Sequence, residues 1–144
     1  NTFKTNELKI KNDKNSIGCS ISHSGYEKNY NCIHKREIYL DHDKNKLSGF
    51  DYIFKKNYGI PIRYVFRFHI NPQLTTVKTM SGNSVLIQIS KNKSLIFTAK
   101  DEKVEIEKSI YLGGKKILDN TCITISGNLV NKDKSFVWEI KKKI

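Results

Sequence analysis

The chain contains no run of about 18 apolar residues, the length a helix needs to cross a bilayer, so no membrane partner is expected. Helical periodicity is almost missing too, which leaves strands as the building material. The three cysteines, Cys19, Cys32 and Cys122, show no C-x-x-C or zinc-finger spacing, and the four histidines form no tight H-x-H pair. No metal site is therefore expected within these residues. Repeats and low-complexity linkers are lacking as well. A single domain over residues 1–144 is the expectation, large enough to bury about 70% of its unfolded surface without staples. Met80 is the only methionine and no signal-like segment precedes Asn1, so the chain reads as a fragment of a longer protein.

Acidic side chains are also scarce: 14 Asp and Glu face 26 Lys and Arg, a formal net charge of +12. Such a surplus favours polyanions, including nucleic acid, anionic lipid and acidic polysaccharide. It has a blander origin that we favour, because lysine, asparagine and isoleucine together are what AT-rich coding produces. Lysines at turns and edges also oppose strand-to-strand aggregation.

What is present is a series of short alternating runs, separated every ten residues or so by Asn, Asp, Gly, Ser and Lys clusters. This pattern predicts an all-β fold, an antiparallel two-sheet β-sandwich of about ten short strands. Strands are expected over 8–11, 16–23, 30–40, 47–54, 63–72, 84–90, 94–100, 104–112, 121–126 and 136–141. In the second, Ile17, Cys19, Ile21 and His23 form an apolar face opposite Ser16, Gly18, Ser20 and Ser22. In the sixth, Val85, Ile87 and Ile89 are expected inward. Phe136 and Trp138 share a face and are expected in the core. A first hairpin symmetric about Gly25-Tyr26 would place Cys19 opposite Cys32, where a disulfide is conceivable; two free thiols are the favoured reading.

The stretch Arg63-Tyr64-Val65-Phe66-Arg67-Phe68-His69-Ile70-Asn71-Pro72 is the most sharply two-faced. Alternation puts Tyr64, Phe66, Phe68 and Ile70 on a core side, and Arg63, Val65, Arg67 and His69 on a charged side, with alternate residues about 7 Å apart.

Six pieces occur in a fixed order: Ser22-His23-Ser24-Gly25-Tyr26, Ile33-His34-Lys35-Arg36, Leu47-Ser48-Gly49-Phe50-Asp51, Arg67-Phe68-His69-Ile70-Asn71-Pro72, Glu107-Lys108-Ser109-Ile110-Tyr111 and Phe136-Val137-Trp138. From about Gly18 to Lys142 the chain thereby resembles the C-terminal part of heparinase II/III-like proteins. Lys35 stands where that family commonly has arginine, and Phe50 where it commonly has an acid.

The resemblance implies a polysaccharide lyase or lyase-like protein, with an N-terminal helical toroid ahead of Asn1 and a periplasmic or secreted location. Uronate polymers are then cleaved by β-elimination: the carboxylate is neutralised, a base takes the C5 proton, and an acid protonates the leaving oxygen. The Tyr, His and Asn groups for this chemistry, and the zinc some members carry, are implied to lie mostly upstream. No catalytic residue and no cofactor is therefore expected in this chain. Its expected partners are acidic polysaccharide and its own helical domain, with nucleic acid unexpected.

The candidate substrate-binding residues are Arg67, His69, His23, Tyr26, His34 and Arg36. Arg67 suits an anion because its planar guanidinium binds oxygen pairs bidentately. Each has a structural reading beside this one. Arg67 and His69 fit an inter-strand network with Asp51 or Glu37, the histidines fit satisfied positions in partly apolar strands, and Tyr26 fits packing over its hairpin. The competing function is a non-catalytic module whose basic and aromatic surface grips polyanions, with steeply salt-dependent affinity.

Overall fold

The computed structural model describes residues 5–143. Eleven strands and one helical turn follow in order: β1 (Thr5–Asn12), β2 (Ser16–His23), α1 (Glu27–Tyr30), β3 (Cys32–Asp41), β4 (Lys46–Lys55), β5 (Ile62–His69), β6 (Thr75–Lys78), β7 (Ser84–Ser90), β8 (Lys93–Ala99), β9 (Glu105–Tyr111), β10 (Leu118–Leu129) and β11 (Lys134–Lys142). They form two antiparallel sheets, the expected all-β architecture. One has the order β1-β2-β3-β4-β11-β8-β7-β6 and the other β5-β10-β9. Two compact units divide the chain: unit 1 comprises Asn1–Arg63 and Asn128–Glu139, and unit 2 comprises Tyr64–Gly127 and Ile140–Ile144.

Unit 2 closes its own core between β6, β7 and β8 of the larger sheet and the strands of the smaller one. Phe97 on β8 meets Phe68 on β5 with ring centroids 4.9 Å apart, and Phe66 lies against Tyr64 at 5.5 Å. Val85, Ile87, Ala99, Val104, Ile123 and Ile125 are buried around them. The two-faced reading of β5 holds: Ile62 and Phe66 are buried, Tyr64 and Phe68 half-buried, while Arg63, Arg67 and His69 are exposed. Ile89 departs from expectation and is exposed, because the β7–β8 register shifts between Gln88 and Ser90 as the hairpin closes. The strand β6 was concealed in sequence because its half-buried side chains are Thr76 and Lys78, which bond to Thr121 at 3.1 Å and Glu105 at 2.7 Å.

Unit 1 is built on the antiparallel run β1 to β4. Between β2 and β3 the chain makes α1, a single turn closed by Asn31 in the left-handed region (φ 49°). This turn centres the hairpin between Lys28 and Asn29, so Cys19 pairs with Ile38 rather than Cys32. Cys32 lies six positions along β3 from Ile38, about 20 Å at the usual rise, far beyond disulfide reach. All three cysteines are free.

In β2 the small residues Gly18, Ser20 and Ser22 are buried, whereas Ile17 and Ile21 on the apolar face are exposed. Large side chains leaning from β3 cover the small ones. A Cβ on Gly18 would come within 2.4 Å of the Tyr39 ring. As expected, Phe136 and Trp138 are buried.

Because Phe66 is buried, Phe66→Ala is expected to cost about 3–5 kcal/mol of stability, whereas the exposed Arg67→Ala should stay within about 0.5 kcal/mol. Urea unfolding of the two variants measures both; equal losses would reverse the face assignment.

Candidate functional site

In β4 the side chains of Gly49, Asp51 and Ile53 alternate onto one face, which places a carboxylate among apolar neighbours. Asp51 is fully buried, an arrangement tolerated only when donors surround the charge. The β3–β4 register supplies two of them, setting Arg36 opposite Asp51 and His34 two positions away on the same face, opposite Ile53. His34 Nε2 lies 2.7 Å and Arg36 Nε 2.8 Å from Asp51 Oδ1. From β11, Trp138 Nε1 donates to Oδ2 at 2.8 Å. The indole can reach only because residue 49 has no side chain: a Cβ there would lie 2.1 Å from Trp138 Cζ2. Three of the ordered motifs, around His34, around Gly49 and Asp51, and at Trp138, thus form one hydrogen-bonded cluster.

The chain of bonds continues outward through His23, paired with His34 across β2 and β3. The Gly25 amide donates to His23 Nδ1 at 3.2 Å, which assigns the ring proton to Nε2. That Nε2–H faces His34 Nδ1 at 3.4 Å, and His34 in turn donates its Nε2–H to Asp51. Both imidazoles therefore direct an N–H toward one carboxylate, and Arg36 supplies a compensating charge. Tyr26 stands at the outer end, its ring centroid 5.2 Å from that of His23, and is itself exposed, with Tyr30 at 6.4 Å.

The protonation states follow from these contacts. Burial opposes ionisation of Asp51, but the hydrogen bonds from His34 and Arg36, the Arg36 charge and the Trp138 bond outweigh it and hold the carboxyl below its usual range. Burial, followed by repulsion from His34, lowers His23 below its ordinary 6.5. Asp51 is accordingly an ionised anchor that orients His34, Arg36 and Trp138, while Tyr26 at the margin is exposed.

Four of the six expected residues, His23, Tyr26, His34 and Arg36, come together here. Arg67 and His69 are exposed on β5 in unit 2, where His69 Nδ1 lies 3.2 Å from Ser109 Oγ. Neither enters the Asp51 cluster, and Glu37 is held by Lys35 and Tyr39. Two buried charges escaped sequence reading as centres. Asp51 carried a signal, an acid on the same strand face as Gly49 and Ile53. Lys55 carried none: its ammonium is buried and donates to the carbonyls of Ile60 and Val130 at 2.5 and 2.6 Å, acceptors that only the folded chain brings near. Among the described residues, no group of three or more His, Cys, Asp or Glu could hold a metal ion.

Two predictions follow from the cluster. Replacing Asp51 by Ala removes the acceptor of three donors and should cost about 3–5 kcal/mol, while Gly49→Ala, which drives Trp138 out of place, should cost about 1–3 kcal/mol; denaturation with tryptophan fluorescence reads both. Stability should also fall on acidification in two windows. Between 6.5 and the lowered folded value of His23, the unfolded chain binds a proton that the folded one does not. Below the ordinary 3.8 of aspartate the same holds for Asp51, and below the ordinary 4.5 of glutamate for Glu37 and Glu105, whose lysine partners hold them low. His23→Gln should remove the upper window and keep the lower, as urea midpoints against pH would show.

The two-sheet fold has counterparts among known proteins. The heparan sulfate lyase HepC from Pedobacter heparinus superposes with a TM-score of 0.77 at 12% identity, covering 97% of this chain and 21% of that one. A structure described as Heparinase III-BT4657 gene product gives 0.70 at 10% identity, over 98% of this chain and 21% of its own. Another described as Heparinase III gives 0.70 at 18%, over 97% and 21%. The chain thus spans about a fifth of these lyase chains, and at such identities the likeness concerns the fold. No curated protein matches it in sequence. The family profile described as Heparinase II/III-like, C-terminal, matches residues 2–139, so the chain belongs to that family.

Proposed function

We propose that this chain is the C-terminal β-sheet domain of a polysaccharide lyase acting on uronate polymers by β-elimination, and that it supports the enzyme and lends it a basic cleft wall. The family match over residues 2–139 carries the reading. The fold shared with chains described as a heparan sulfate lyase and as heparinase III supports it. The geometry of the Asp51 cluster favours a supporting role, since its one buried carboxylate is tied to His34, Arg36 and Trp138 instead of standing free as a base. In this proposal the Tyr and His acid–base pair, the group that neutralises the uronate and any zinc belong to other parts of the polypeptide. His23 and Tyr26, at the open end of the relay, and Arg67 and His69 on β5 are the residues that contact polysaccharide. The excess of 26 basic over 14 acidic residues suits a carboxylated or sulfated chain. No helix among the described residues is long and apolar enough to cross a membrane.

The test is the complete polypeptide incubated with heparan sulfate, alginate and other uronate polymers, with unsaturated product followed by ultraviolet absorbance. Product is expected from at least one polymer, and Arg67→Ala should raise KM more than it lowers kcat. Absence of product from every polymer, together with heparin binding that weakens steeply with salt, would replace this reading by the polyanion-binding one.

A further inference from the structure

Two of the six ordered motifs stay outside the Asp51 cluster, the one that closes β5 and the one within β9, and the smaller sheet brings them together in unit 2. Strand β10 runs between β5 and β9 with its side chains alternating. Ile123 and Ile125 take the core face, which leaves Asn120, Cys122 and Thr124 on the other. The register sets Ser109 opposite Asn120 and Glu107 opposite Cys122, so these side chains share that second face. His69 reaches it from β5, where its Nδ1 lies 3.2 Å from Ser109 Oγ, and Arg67 follows two residues back on the same strand face. Burial pushes the Cys122 thiol up, a bond to the Phe68 backbone and the Arg67 charge pull it down, and Glu107 adds to the rise, so both charges flank the middle strand. A row of short buried side chains thus lies between longer exposed ones, Arg67 and His69 on one side and Glu107 on the other. The result is a shallow polar trough.

The hydrogen-bond accounts of this trough do not close. Thr124 Oγ1 donates to Glu107 Oε1 at 3.2 Å, and Asn120 Nδ2 donates to the Ile70 carbonyl at 2.8 Å. Asn120 is only 8% exposed, yet its Oδ1 is buried with no partner among the described residues. Such an acceptor costs free energy that an incoming donor would recover. Arg67 is likewise uncommitted: it is exposed, and no ion pair holds its guanidinium among the described residues.

The geometry points to a subsite for one uronate residue on this face of the smaller sheet. Arg67 takes the carboxylate, which its planar fork fits bidentately, and ring hydroxyls donate to Asn120 Oδ1 and to Glu107. The exposed imidazole of His69 leaves Ser109 to uncover the Asn120 acceptor, so both groups of that pair are released to meet the sugar. A dianionic phosphate or a densely sulfated segment fits less well, because Glu107 repels added negative charge and accepts from hydroxyls only. The inference rests on the proposed lyase function and deepens it, adding Asn120, Ser109 and Glu107 to Arg67 and His69 and assigning each a group of the ligand.

Diethyl pyrocarbonate modifies exposed imidazoles, and peptide mass locates the product at His69, which reads this face apart from every other place a sugar could bind. In the complete polypeptide, hexasaccharides prepared from heparan sulfate or alginate should slow modification of His69 by about tenfold at about ten times their Kd. The same oligosaccharides with their carboxyl groups reduced to alcohols should protect weakly or not at all. Arg67→Gln should leave the unliganded rate unchanged and raise the oligosaccharide concentration needed for protection by about tenfold or more. Asn120→Val tests the acceptor in the same way, and Arg67→Gln, on the exposed flank, decides the matter if that buried change disturbs the sheet. The subsite is overturned if uronate oligosaccharides give no protection, if the reduced ones protect equally, or if Arg67→Gln protects as well as the unaltered chain. Equal protection by dextran sulfate would also overturn it, in favour of a general polyanion grip. Lyase product measured on the same samples keeps the two readings apart. Product with His69 unprotected sinks the subsite alone, and protection without product on any uronate polymer sinks the lyase reading alone.

Discussion

A single ionised carboxylate, Asp51, stands fully buried in the sheet, and the arrangement of β3, β4 and β11 depends on keeping it paired. An unpaired charge at that depth costs several kcal/mol, so the fold must bring donors to it. His34 and Arg36 arrive from β3 and Trp138 from β11, and Gly49 must stay without a side chain for the indole to pass. The register between β3 and β4 is bound to the same requirement. A slip of one residue would turn Asp51 to the opposite face and set Lys35 or Glu37 in the place of Arg36. Four motifs scattered from His23 to Trp138 thus answer one electrostatic demand.

The orientation of the histidines carries that demand from core to surface. With His23 Nδ1 accepting from the Gly25 amide, each imidazole passes one donor inward, and a proton added between them would set two donors face to face. The relay therefore holds the two rings at fixed angles, with the exposed Tyr26 at its outer end.

The unit that houses this anchor is itself half-covered. Trp138 covers Gly49 at the β4 end of the face, while Leu8, Ile10, Ile17, Ile21 and Leu40 of β1 to β3 are exposed. Unit 2 differs, since Phe68 and Phe97 meet across its own two sheets and its core is closed from within.

Much of this was legible in the chain itself. Alternation determined the all-β class, the two faces of β5, the burial of Trp138 and the span of β2, because a strand's side-chain period is read directly from sequence. The order of short motifs determined the family, and four of the six candidate residues proved to be neighbours. What alternation cannot carry is which face of a strand meets a partner. Ile17 and Ile21 are apolar yet open, whereas Gly18 on the other face lies under the Tyr39 ring. Strand β6 and turn α1 were illegible for a related reason: the inward groups of β6 are Thr76 and Lys78, and one helical turn is too short to show a period. The pairing of Asp51 with Trp138, 87 residues away in sequence, and the capture of Lys55 by the carbonyls of Ile60 and Val130 were decided by tertiary structure alone, since a buried charge finds its partners in space and leaves no spacing in the chain to announce them.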